Sequence, residues 1–142
     1  MRILETKIKG LFKPYQEEAS IDFGSLGPGL VAIVGPNGEG KTAILESIVG
    51  VLYGSFPSRT EGKQRSIYDY VVSNKAWMQA TFDFNGRIIT ARVDINGQNK
   101  TSEWALTERG LPQLNPRGKY KEYLSMVKNL FGSKQLCLAS SF

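Results

Sequence analysis

The sequence predicts an α/β protein with α+β character, and three patterns predict it. A continuous apolar run at residues 30–34 meets a glycine cluster holding one lysine, and the cluster opens onto a stretch with helical spacing. Further on the period falls to two, in segments punctuated by Asn85-Gly86 and Asn96-Gly97, the mark of antiparallel hairpins. A last helical stretch lies near the C-terminal end.

Each element is justified by its residues. Ile3, Ile8, Leu11 and Phe12 lie in an extended stretch that Pro14 ends, and ASIDF at residues 19–23 alternates again, so two strands joined by a turn open the chain. Gly24, Gly27, Pro28 and Gly29 punctuate the next stretch. The run LVAIV at 30–34 is apolar without alternation, as in a strand buried on both faces of a helix-covered sheet. After Gly40, Ile44, Ile48 and Leu52 form one helical row and Leu45 and Val49 the row beside it. A mostly buried helix is expected there, with Gly54 as its stop. Residues 55–75, with Arg59, Lys63 and Arg65, read as a loop holding a single helical turn.

The next face is built from Ala76, Met78, Ala80, Phe82 and Phe84, repeated by Ile89, Ala91, Val93 and Ile95 after Asn85-Gly86. A third strand around 102–107 completes a meander over 76–107. Asn115 with Pro116 reads as a helix start, and Tyr120, Tyr123, Leu124, Val127, Leu130 and Phe131 hold helical spacing up to Gly132, so a helix is expected over 116–131. Its tyrosines read as core or rim. The segment LCLASSF closes the sequence.

Composition bounds the function. With 142 residues, 41% of them hydrophobic, residues 1–142 are expected to form one unit or a large part of one. The balance of 18 Lys and Arg against 13 Asp and Glu, a net charge of +5, favours an anionic partner, although a solvated surface explains the same excess. Cys137 is alone, so no internal disulfide forms, and the absence of histidine excludes histidine catalysis and His-ligated zinc. The opening MRILETKIKGLF has neither a signal-peptide core nor the roughly 20 apolar residues of a membrane span. A soluble, intracellular protein with no membrane partner is expected.

The chemistry is carried by Gly35, Pro36, Asn37, Gly38, Glu39, Gly40, Lys41 and Thr42, which match G-x-x-x-x-G-K-[ST] in full. A buried strand delivers the chain to a turn, glycines let backbone N–H groups converge on phosphate oxygens, and the following helix adds its positive end. Lys41 would reach the β- and γ-phosphates as the catalytic cation, and the Thr42 hydroxyl would ligate Mg²⁺. Ala43, next on the first helical turn, belongs to the same cofactor-binding set. At average residue frequencies the pattern arises by chance in about half a per cent of chains this long, and the alternative to a phosphate site is a glycine-rich turn without ligand. No Asn-Lys-x-Asp-type base reader occurs, which favours ATP over GTP. An apolar strand ending in Asp or Asp-Glu, which would hold Mg²⁺ through water and orient the attacking water, is also missing. Glu17, Glu18, Asp22 and Asp83 lack that context and read as surface carboxylates. The chain is expected to bind nucleotide better than it cleaves it.

The stretch KIKGLFKPYQEEASIDFGSLGPGLVAIVGPNGEGKTAILESIVGVLYG resembles the N-terminal entry of the SMC-like ATPases. AWMQATFDFNGRIITARVDING, followed by KEYLSMVKNLFG and LASSF, is similar to the double-strand-break-repair branch of the SbcC type. The resemblance implies a P-loop NTPase of the ABC-type ATPase head class, with a mixed lobe around the phosphate loop and an antiparallel β-meander lobe beside it. It implies that Asn37, Gly38, Gly40, Lys41 and Thr42 hold the phosphates of ATP and the Mg²⁺, and it adds Lys13 as a basic residue near the nucleotide. Glu39 stands where the family commonly has Ser, and Ala43 where Ser or Asn is frequent; the loop's donors are mainly backbone, so neither disables it. Implied partners are the C-terminal half of the same head, a second head in a homodimer, a nuclease subunit and double-stranded DNA, in the cytoplasm of a prokaryote or in a viral setting. The family's glutamine, coiled coil, signature motif and acidic strand do not follow in this sequence, which therefore reads as an N-terminal half-head.

Other readings of the residues stand beside this one. A RecF-type recombination ATPase resembles the chain equally through Ile48. A self-contained P-loop kinase would follow its loop helix with parallel βα units, where this sequence has hairpins. A transporter ATPase would still show its glutamine loop and signature. A non-hydrolysing module would bind nucleotide or a partner only. Lys63, Arg65, Lys100, Arg117, Lys119 and Lys121 are the candidate contacts to DNA phosphates.

Overall fold

The computed structural model describes residues 1–36, 40–56, 66–115 and 118–134. The expected opening pair forms: β1 (Arg2–Lys9) and β2 (Ala19–Asp22) are antiparallel, from Glu5 opposite Asp22 to Ile8 opposite Ala19. The meander forms as β3 (Lys75–Phe84), β4 (Arg87–Asn96) and β5 (Thr101–Glu108). The two groups are continuous. The free edge of β1 pairs antiparallel with β3, from Arg2 opposite Asp83 to Lys9 opposite Trp77, giving one five-stranded sheet in the order β2-β1-β3-β4-β5.

The alternation read from the sequence defines the inner face. Ala76, Met78, Ala80 and Phe82 of β3, Ile89, Ala91, Val93 and Ile95 of β4, and Trp104 and Leu106 of β5 are buried, with Ile8 of β1 beside them. Asn85 and Gly86 both take positive φ, 53° and 84°, as a two-residue hairpin requires. The second Asn-Gly is built differently. Asn96 pairs with Thr101, so residues 97–100 form a longer turn in which the Asn96 Oδ1 accepts the amides of Gln98 and Asn99, each at 3.0 Å. There Lys100, not Gly97, carries the positive φ of 52°. Gly97 is needed for space, because a Cβ would lie 2.8 Å from the Val71 side chain.

Among the described residues, two helices cover the inner face. α1 (Lys41–Tyr53) buries Ile44, Ile48, Val49, Val51 and Leu52, and ends at Gly54, whose φ of 71° lets its N–H reach the Gly50 carbonyl. Leu45, expected in the buried row, is 48% exposed. The single helical turn expected in the following loop is the 3-10 turn Ile67–Tyr70, held by a capping box between Ser66 and Asp69.

α2 (Tyr120–Phe131) stops before Gly132 as expected but starts later than Asn115-Pro116 suggested. Asn115 is fully buried and serves as a surrogate strand: its Oδ1 accepts from Leu106 N at 2.8 Å and its Nδ2 donates to Trp104 O at 2.5 Å. Leu114 N and Gly118 O also pair with the β5 backbone, so the chain runs along this edge before it can wind into a helix. α2 is joined to α1 by tyrosines. Tyr123 donates its hydroxyl to Val51 O, Tyr120 to Tyr53 O, and Tyr53 to Gly132 O, which satisfies carbonyls at the helix ends.

The run at 30–34 departs from expectation. It forms no strand, and Leu30, Val31 and Val34 are 102%, 40% and 89% exposed, with only Ile33 packed against the core. An unalternating apolar run becomes a strand only where neighbours cover both faces and both edges. The described residues offer none beside it.

Candidate functional site

The site is assembled where three distant segments meet. β1 is followed by Gly10, whose φ of 72° and close approach to Lys75 O admit no side chain. The chain then passes Phe12, at φ 62° and ψ 142°, a conformation that is costly for a bulky residue and is held only by its surroundings. Phe12 N donates to Tyr70 O at 2.8 Å, and the rings of Phe12, Phe56 and Tyr70 pack with centroids 5.0–5.4 Å apart. This kink launches the 3-10 turn Lys13–Tyr15 toward the start of α1.

At that start, Gly40 takes a left-handed φ of 85° and no side chain caps the helix, so the amides of the first turn stay available to an anion. Lys13, Pro14 and Phe12 from the first segment, Gly40, Lys41, Thr42 and Ala43 from the second, and Asp69, Tyr70 and Val72 from the third line one cavity of about 460 Å³. Lys41 Nζ donates to the Gly35 carbonyl, folding back on its own loop. Thr42 is exposed on the first turn. Asp69 is engaged through Ser66 N at 2.9 Å. Tyr15 lies behind the loop, its hydroxyl 2.8 Å from Gly40 O, and desolvation raises the pKa of its phenol.

Of the residues singled out in the sequence, Lys13, Gly40, Lys41, Thr42 and Ala43 converge on this cavity, and Gly35 joins them through Lys41. Pro36 is not among the lining residues, and Asn37, Gly38 and Glu39 lie outside the described residues. The four carboxylates discounted above stay away from it: Glu17, Glu18 and Asp22 are exposed, and Asp83 accepts from its own turn at Gly86 N. Lys100 sits in the β4–β5 turn and Lys119 and Lys121 at the start of α2, apart from the cavity; Lys63, Arg65 and Arg117 lie outside the described residues. Among the described residues no group of three or more His, Cys, Asp or Glu could hold a metal, and no helix is long and apolar enough to cross a membrane. Sequence reading missed Tyr15, Phe12, Asp69 and Tyr70. For Asp69 a signal existed, the Ser-x-x-Asp spacing of a capping box from Ser66. Tyr15 meets Gly40 across 25 positions and leaves no local trace.

A family model described as AAA domain matches residues 7–135, which includes the cavity's whole lining. The chain belongs to the AAA domain family. Within the AAA domain family two likenesses narrow the type. The chain is 44% identical over 55 residues to the SbcC component of the nuclease SbcCD of Bacillus subtilis (strain 168), a match covering 38% of this chain and 5% of that protein. It superposes on the SMC head domain from Thermotoga maritima with a TM-score of 0.55 at 23% identity, covering 79% of this chain and 39% of the other. The second match shows the fold, that of a P-loop ATPase head. Together they mark the chain as an SMC- and SbcC-like ATPase head segment, and the matches span 5% of the length of the first relative and 39% of the second.

Proposed function

We propose that this chain is the nucleotide-binding half of an SMC-like ATPase head that works in DNA double-strand-break repair or recombination. The observation that carries the reading is the convergence of Lys13 from one segment with Lys41 and Thr42 from another on one cavity at an uncapped helix start. Two lysines and open amides suit the phosphates of ATP. Lys41 swings from Gly35 O to the β- and γ-phosphates, Lys13 adds neutralising charge from the first segment, and Gly35, Asn37, Gly38 and Gly40 supply backbone donors, with Pro36, Glu39 and Ala43 shaping the loop. The exposed Thr42 hydroxyl is an oxygen donor of the kind a hard cation takes, so it is the residue that would hold Mg²⁺, which would offset the phosphate charge.

Hydrolysis needs a carboxylate to orient water, and Asp69, the one acidic residue lining the cavity among the described residues, accepts Ser66 N in its capping box. The chain therefore binds MgATP with little turnover of its own. Activity belongs to the assembled head. The bare run at 30–34 is the surface on which the C-terminal half of the head docks, and its apolar exposure supports that assignment. Two such heads close on ATP and regulate the access of double-stranded DNA to a nuclease subunit, in the cytoplasm; the SbcCD likeness supports the nuclease partner. The test is calorimetric titration of the chain with MgATP beside its Lys41→Ala and Lys13→Ala variants. Micromolar-range binding, abolished by Lys41→Ala and weakened about tenfold by Lys13→Ala, is expected from the loss of charge-assisted contacts. Binding untouched by Lys41→Ala would exclude a phosphate site here.

A further inference from the structure

We propose that Tyr15 is a positioning residue of the phosphate loop, its hydroxyl pinning the Gly40 carbonyl so that the amide N–H of Lys41 is aimed at the bound phosphate. The inference rests on the reading of the cavity as a phosphate site and deepens it. A trans peptide is planar, with its C=O and N–H pointing in opposite directions, so fixing the Gly40 oxygen fixes the Lys41 N–H of the same peptide. That oxygen receives the Tyr15 hydroxyl at 2.8 Å and the first helical bond, from Ile44 N, at 3.1 Å. Gly40 lacks the Cβ that would limit rotation of this peptide, and its φ of 85° lies in the region glycine occupies freely. Tyr15 therefore gives this glycine-preceded peptide a second, external anchor beside the helical bond from Ile44.

Tyr15 is equipped to be that clamp. Its carbonyl accepts Gly10 N at 2.7 Å, its amide donates to Phe12 O at 2.9 Å, and Pro14 precedes it, so its backbone is fixed before the hydroxyl acts. Its ring lies against the Gly40 α-carbon so closely that a Cβ there would come within 2.6 Å. Tyr15 also ends the turn that begins at Lys13, and the same hydrogen bond therefore ties the segment that carries Lys13 to the one that carries Lys41, both of which line the cavity.

The experiment compares the full chain with its Tyr15→Phe variant, which keeps the ring and loses the donor. MgATP and MgADP affinities are measured by calorimetry, the Lys41 amide resonance is followed in ¹⁵N-labelled protein, and the thermal midpoint is recorded without nucleotide. Expected are a roughly three- to tenfold weaker affinity for both nucleotides, the effect of one lost hydrogen bond, a smaller nucleotide-induced shift of the Lys41 amide, and a nearly unchanged midpoint. Equal affinities with an unaltered Lys41 shift would overturn the role of Tyr15 and leave the phosphate site standing. An unfolded Tyr15→Phe would also overturn it, by making Tyr15 a structural residue. A wild-type chain that binds neither nucleotide would refute the phosphate reading itself and the inference with it.

Discussion

Gly40 is constrained from two sides, by a φ of 85° and by the Tyr15 ring that occupies the place of a side chain. Gly40→Ala should therefore cost about 1–3 kcal/mol of stability and lose nucleotide binding together, measured by urea denaturation and MgATP titration. Pairing it with Tyr15→Ala should recover part of the stability, since the steric conflict goes, but none of the binding, since the backbone strain and the missing clamp remain. At this scale the sequence told part of the site. Lys41 and Thr42 were readable because the phosphate loop is a local pattern, every member within eight positions. Tyr15 and Phe12 were not, because each is brought to the site by tertiary contacts, whereas Asp69 left only the local capping-box spacing from Ser66. Phe12 in particular needs the Phe56 and Tyr70 rings, far along the chain, to hold its kink.

Among the elements, the hairpins were readable because each strand carries its own alternation and Asn85-Gly86 suits one turn geometry. Asn96-Gly97 announced a turn without its length, and Asn115-Pro116 looked like a helix start while Asn115 was committed to the edge of β5. Asn115→Ala should destabilise the fold by about 2–4 kcal/mol, because it leaves the Leu106 N–H and Trp104 C=O buried without a partner. The denaturation midpoint checks this. The tyrosine joint between α1 and α2 predicts a pH dependence. Desolvation, then the neighbouring Tyr120 and Tyr53, push the pKa of Tyr123 well above the ordinary 10.0, and desolvation raises Tyr120 as well. Above pH 10 the unfolded chain releases phenolic protons that the folded chain keeps, so stability is full below that pH and falls as pH rises through it. Denaturation at pH 8–11 should show this decline, with a shallower slope in Tyr123→Phe.

For the whole molecule, the exposed run at 30–34 is the surface that the proposed second half of the head would cover. Its apolar composition was plain in the sequence, but burial depends on neighbours that no local pattern specifies. Left bare, Leu30 and Val34 should drive self-association of the chain, and Leu30→Ser with Val34→Ser should shift sedimentation toward monomer while leaving the sheet's circular dichroism intact. The central claim is that this chain holds the nucleotide cradle of a head whose hydrolytic carboxylate lies elsewhere. ATP turnover by the purified chain with Mg²⁺, measured beside MgATP binding, tests it most directly. The account predicts binding that depends on Lys41 with little or no phosphate release. Robust turnover, lost on Lys41→Ala, would contradict it and make the chain a complete small NTPase with a catalytic carboxylate among its own residues.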